Sequence, residues 1–193
     1  MIELVSEKLT NYISSNSDIN DSEIPKINFA IKAILSESSK FIIMFIIFFM
    51  LGTEKYFLLS FIILCPIRAY SGGIHFYTYK ACLAFSMLIF FITSYLTPKY
   101  IGQLPLTIHL ILSILSLIII YINSPKVSKY RKKMRMYNDP KIILRRKLIS
   151  TFLTLLFLCA SFLIFKYTVH LNCAIITIFM QAFQLIPSSR INN

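Results

Sequence analysis

Apolar residues along this chain fall into six runs separated by short polar or basic stretches. Phe41–Leu51 is purely apolar but only eleven residues, about 16 Å at 1.5 Å per residue and too short to cross a bilayer alone. Extended back to Pro25, it becomes a helix over about 26–51 that is long enough. The next run, Tyr56–Ile67, is ended by Pro66 and Arg68 and reads as a tilted or incomplete span. Ala81–Leu96 follows, stopped at Thr97-Pro98, and further spans cover about 104–122, 147–165 and 168–186. Ahead of them all, Ile2, Val5, Leu9, Tyr12 and Ile13 set one apolar stripe along a short helix. The pattern predicts an all-α, polytopic membrane helix bundle of about six transmembrane segments. An N-terminal amphipathic cytoplasmic helix occupies 1–24, and a single transmembrane domain occupies 25–193. The N-terminal helix reads either as lying on the membrane surface, where it can touch a substrate, or as a lid on the cytoplasmic ends of the spans.

Composition agrees with the pattern. The chain has 193 residues, 56% of them hydrophobic, and a mean hydropathy of +0.70. A soluble domain of that length would expose too much apolar surface. Charge then sets the orientation. The segment 123–147 carries ten of the 20 Lys and Arg and one Asp, so the positive-inside rule makes it cytoplasmic. Counting spans outward from it places both termini and residues 68–80 on the same side. The turns at 52–55, 97–103 and 166–168 fall outside, with one Lys each. In a soluble protein the net charge of +12 would point to nucleic acid; here no nucleic acid is expected, and anionic lipid headgroups are the natural partner. Nothing resembles a cleavable signal peptide, since the first apolar run starts only after about forty residues.

The chemistry concentrates in Arg68-Ala-Tyr-Ser-Gly-Gly-Ile-His75-Phe-Tyr-Thr-Tyr-Lys-Ala-Cys82, between the second and third runs. An imidazole and a thiol are the groups that cysteine nucleophile chemistry requires, and the cytoplasmic side keeps a thiol reduced. On one unbroken helix, His75 and Cys82 would stand about 10.5 Å apart along the axis, whereas proton transfer needs about 3 Å. The pair can meet only if His75 leaves the helix and folds back. Gly72 and Gly73 supply the freedom for that turn. The expectation is a re-entrant Gly-rich catalytic loop with Cys82 in the first turns of the following helix. There a thiolate gains from the helix N-terminus and from nearby basic residues, with Lys80 and Arg68 in range. Read without chemistry, Cys82 is helix packing and Arg68 a topology anchor at a span's end. In the first span Asn28, Lys32, Ser36 and Lys40 recur every four residues, with Glu37 beside them. Glu37 is too far round the helix to pair closely with Lys32, so a partner on another span is expected, and it is a candidate third catalytic group. The same half-helix also reads as lying near the interface with its charges snorkelling. His109 and His170 lack Cys partners and read as interfacial.

Taken together, these residues resemble the accessory gene regulator B (AgrB) family of membrane cysteine endopeptidases, which process quorum-sensing peptide precursors. The resemblance covers essentially the whole chain. It includes the polar N-terminal segment, the Arg68 entry, the Gly-containing loop, His75 and Cys82. It continues through Asn123-Ser124-Pro125, the basic loop, and the closing Gln181-Ala-Phe-Gln-Leu-Ile-Pro187. It implies Cys82 as nucleophile and His75 as general base and acid, acting on an AgrD-like precursor through a thioester, with ring closure to a thiolactone or lactone. Arg68 and Gly73 align with motif positions: backbone geometry for Gly73, tail binding or oxyanion support for Arg68. Lys32 stands where relatives commonly carry Glu or Gln, and Asn-Ser-Pro replaces a more usual Ala-Pro. No cofactor or metal is implied, and a homodimer is compatible with the family. The basic loop at 126–147 has two readings, attraction of an acidic peptide tail and orientation against anionic lipid.

Two other functions fit the residues taken alone: a small transporter or export factor for a signal peptide, and a membrane scaffold without chemistry. Neither an HExxH metalloprotease motif nor a GxSxG serine hydrolase motif is present, and the paired glutamates of CAAX-type proteases are missing. The four cysteines (65, 82, 159, 173) show no CxxC or Cys/His metal spacing.

Overall fold

The computed structural model describes residues 2–16, 20, 23–74, 76, 78–126, 139–166 and 168–186. The helices are α1 (Ile2–Ser15), α2 (Ile24–Met50), α3 (Glu54–Ser71), α4 (Tyr79–Phe91), α5 (Thr97–Tyr100), α6 (Leu106–Asn123), α7 (Pro140–Phe165) and α8 (Val169–Leu185). A π-helical turn, Ile92–Leu96, joins α4 to α5. No strand occurs among the described residues, so the all-α expectation holds. Among the described residues, four helical stretches are long and apolar enough to cross a membrane: Ile24–Met50, Tyr79–Tyr100, Leu106–Asn123 and Pro140–Phe165. Val169–Leu185 is apolar but shorter. Exposed Ile108, Ile111, Ile114, Leu115, Ile118 and Ile122 line α6, a surface that hydrocarbon tolerates and water does not.

Three helix limits differ from those read off the sequence, each for a physical reason. α3 continues through Pro66 to Ser71; an internal proline removes one backbone hydrogen bond, a loss that membrane helices commonly absorb. The third span runs past Thr97-Pro98 because the π turn re-registers the helix. Both the backbone N–H and the hydroxyl of Thr97 bond the Ile92 carbonyl, five residues back. α7 begins at Pro140, with Asp139 as N-cap accepting from the Lys141 N–H at 2.9 Å, so Lys141, Arg145, Arg146 and Lys147 are helical rather than loop residues.

The chain divides into two compact units, Met1–Ile47 and Phe48–Asn193. In the first, the Lys32 ammonium pairs with Glu3 of α1, and Lys40 pairs with Glu37 at 2.6 Å within α2. The expected partner of Glu37 on another span is therefore corrected to a neighbour one turn along its own helix.

In the second unit α8 is the central helix, packed by α3, α6 and α7. Residues 171–178 are all buried, which fits a helix apolar on every side. The core joins Ile63 and Ile67 of α3, Ile120 of α6, Leu158 of α7 and Leu171, Ala174, Ile175, Ile178, Ala182 and Leu185 of α8. Lipid tails are as apolar as these side chains, so packing and hydrogen bonds hold the helices together. Thr177 donates to Ser60 at 3.0 Å and Ser124 bonds Ser150 at 2.7 Å. Buried His109 bonds Asn172 at 2.7 Å, and Asn172 donates to the Gly102 carbonyl at 2.7 Å. His109 is thus an internal bonding group rather than an interfacial one. His170 stacks near Tyr56 and Phe165.

Candidate active site

The site grows from the end of α3. Gly72 takes φ +79° and closes the last turn by donating its N–H to the Arg68 carbonyl at 2.9 Å. Only glycine adopts that backbone without strain. The residue just past α6 comes alongside: Lys126 donates its N–H to the Ser71 carbonyl at 2.8 Å and forms a parallel bridge with Gly72. A Cβ on Gly72 would run into the Lys126 carbonyl, whereas one on Gly73 would sit 3.4 Å from Gln184 Oε1, an ordinary contact. The two glycines therefore differ in kind.

Side chains then fix the segment from two directions. Arg68 Nη1 donates to Gln184 Oε1 at 2.6 Å, and Nη2 donates to the Ile74 carbonyl at 2.9 Å. Gln181 Nε2 donates to the Gly72 carbonyl at 2.8 Å and to Ser71 Oγ at 2.9 Å. The Lys126 ammonium donates to the Gln184 and Ile186 carbonyls, both at 3.1 Å, closing the C-terminal end of α8 with positive charge. Burial pushes the Lys126 amine below the ordinary lysine value. Arg146 of α7 donates to the Ala69 carbonyl at 3.0 Å.

Beyond this clamp the chain is still outside any helix at Phe76, whose ring packs against Phe85 with centroids 5.2 Å apart. Thr78 then caps α4, its hydroxyl accepting from the Ala81 N–H at 3.3 Å. Cys82 is the fourth residue of α4, its N–H bonded to the Thr78 carbonyl at 3.1 Å, and it is half-buried and in no disulfide. The described part of 72–78 is non-helical and Cys82 stands in the first turns of the next helix, as the spacing argument requires. His75 lies outside the described residues, as do most of the basic loop (127–138) and Pro187.

The structure thus joins Arg68 and Gly72 of the sequence candidates in one hydrogen-bonded group, with Gly73 lying beside Arg68 and Gln184, and sets Cys82 at the start of the next helix. Glu37 lies in the first unit, its carboxylate exposed and paired with Lys40. Gln181, Gln184 and Lys126 have no individual role in the sequence pattern taken alone. The signal was present: two amides three residues apart share a helix face, and polar groups inside a span seldom lack a task. Among the described residues no three His, Cys, Asp or Glu cluster as a metal site would.

The AgrB family model (accessory gene regulator B) matches residues 6–185, so the match includes the clamp, the thiol and the closing helix. The chain belongs to the AgrB family. It is 34% identical over 187 residues to an AgrB-like protein of Clostridium beijerinckii, covering 96% of this chain and 89% of that relative. No solved structure matches it. Membership supports a role in the agr quorum-sensing system, in which the AgrB partner is in general an AgrD-like precursor. The apolar helices are consistent with a membrane protein.

Proposed function

We propose that this AgrB protein is a membrane-embedded cysteine endopeptidase that removes the acidic C-terminal tail of an AgrD-like precursor and promotes cyclisation of what remains. The observation that carries the reading is the break between α3 and α4. A chain turned out of the helix at Gly72 and a half-buried thiol in the first turn of α4 are what a folded-back His75 needs in order to reach Cys82.

In this scheme His75 takes the proton from Cys82 Sγ as the sulfur attacks the scissile carbonyl carbon. The C–N bond then breaks, and His75 returns the proton to the leaving amine, releasing the tail. The thioester keeps the acyl group activated. A Cys or Ser within the bound peptide attacks it, the acyl carbon passes to the new sulfur or oxygen, and the displaced proton goes through His75 back to Cys82. Water is neither consumed nor wanted, so a site enclosed by helices favours ring closure over hydrolysis. The positive end of α4 and the neighbouring Arg68, Lys126 and Arg146 favour an acidic tail. Glu37 remains a candidate supporting group, tied to Lys40. The site and both termini face the cytoplasm, where the thiol stays reduced. Anionic headgroups gather at the basic loop, and a homodimer is compatible with the scheme.

Cys82→Ala and His75→Ala should each abolish precursor cleavage in reconstituted membranes while leaving insertion intact. Normal processing by either variant would overturn the assignment.

A further inference from the structure

The last helix brings no Lys, Arg, Asp or Glu and its one thiol, Cys173, is fully buried, yet its polar side chains converge on the backbone that leads into His75. We propose that Gln181 and Gln184 are positioning residues of the site: with Arg68, they pin Gly72–Ile74 and so set where the next residue, His75, is delivered. This rests on the peptidase reading and adds to it the part of the fold that aims the base.

Toward the loop the two glutamines use opposite ends of their amides, and the other ends link them, Gln184 Nε2 donating weakly to Gln181 Oε1 and to the Met180 carbonyl, both at 3.4 Å. Gln181 is a donor, giving Nε2 to the Gly72 carbonyl at 2.8 Å and to Ser71 Oγ at 2.9 Å. Gln184 is an acceptor, taking Arg68 Nη1 on Oε1 at 2.6 Å while Nη2 of the same guanidinium holds the Ile74 carbonyl at 2.9 Å. The carbonyls on either side of Gly73 are thereby fixed, the second belonging to the residue just before His75. Both glutamines are at most 1% exposed, and α8 is the most enclosed helix of its unit, so the frame they provide is rigid. A segment with two adjacent glycines has wide backbone freedom of its own. Displacing a reacting group by about 1 Å can cost about 100-fold in rate.

Opposite amide ends make one substitution discriminating. Gln184→Glu keeps the acceptor facing Arg68, so precursor cleavage should stay within about threefold of the parent. Gln181→Glu at pH 8 loses the donor and sets a carboxylate against the Gly72 carbonyl. It should lower kcat about 10- to 100-fold with KM changed less than about threefold. Gln181→Leu, with no proton to donate at any pH, should follow it. A second readout needs no turnover: the pH profile of Cys82 alkylation by iodoacetamide in the full chain carrying Cys65→Ser and Cys159→Ser. Gln181→Leu should shift that profile to coincide with the one from His75→Ala. Equal effects of the two Glu variants, or a parental profile in Gln181→Leu, overturn the proposal. If the Gln181 variants do not stay monodisperse in detergent, Gln184→Leu against Gln184→Glu decides it, loss against retention. Unimpaired cleavage by His75→Ala would instead overturn the peptidase reading itself, so the two failures are told apart.

Discussion

The two glycines of the loop differ at the level of single atoms, and that difference is testable. Gly72 combines φ +79° with a backbone carbonyl where a Cβ would stand, while Gly73 meets only the ends of two side chains at ordinary distance. Gly72→Ala should cost at least about 1–3 kcal/mol in local strain and disorder the turn. Gly73→Ala should leave folding close to the parent. Thermal unfolding in detergent, read beside limited proteolysis at 72–78, measures both, and equal costs would contradict the assigned backbone. Arg68 and Lys126 belong to the same scale. Each is a cation held by carbonyl oxygens, those of the Gln184 amide and Ile74 for Arg68 and two backbone carbonyls for Lys126, and hydrogen bonds from charged groups contribute about 1.5–3 kcal/mol. Burial of Lys126, which pushes its amine below the ordinary lysine value, is part of the cost of that role.

At the scale of elements, α8 is the post to which the rest of its unit is tied. At its start, Asn172 holds both His109 of α6 and the Gly102 carbonyl of the α5–α6 connection. Asn172→Leu orphans the buried His109 ring and should cost about 1–3 kcal/mol, seen as a lowered midpoint of thermal unfolding. In the other unit, Lys32 holds Glu3 below the ordinary carboxylate value, chiefly by hydrogen bond and then by charge. The folded value is depressed, so this tie is present above the unfolded carboxylate value and lost as pH falls through the lowered one. Spin labels on α1 and on the first half of α2 should separate on acidification to below the ordinary carboxylate range and in high salt. Unchanged distances would contradict a tie between them.

The six apolar runs, the break after Gly72 and the place of Cys82 were legible in the sequence, because hydropathy and residue spacing are local properties. The extension of α3 past Pro66, the π turn at Ile92–Leu96 and the clamp by Gln181, Gln184 and Lys126 were not. Each depends on a hydrogen bond that only tertiary placement or backbone re-registration supplies. Arg68 shows the difference well. Its position at a span's end fits an anchor, and only its contact with Gln184, 116 residues away, reveals a guanidinium turned inward to hold the loop.

For the whole molecule, the basic segment and the loop share the cytoplasmic side in the proposed topology. A membrane-impermeant maleimide should label Cys82 in inverted vesicles and spare it in right-side-out ones. The reverse pattern would place the thiol away from a cytoplasmic precursor. The central claim is that this thiol attacks the precursor, and one measurement reaches it directly. The full chain in membranes is incubated with an AgrD-like precursor whose ring-closing Cys or Ser is replaced by Ala, quenched in acid, and weighed intact. A mass increase equal to the tail-less peptide, released by hydroxylamine, mapped to Cys82 and missing from Cys82→Ala, is the predicted result. Cleaved precursor with no adduct on Cys82, or an adduct that survives in Cys82→Ala, would contradict the account.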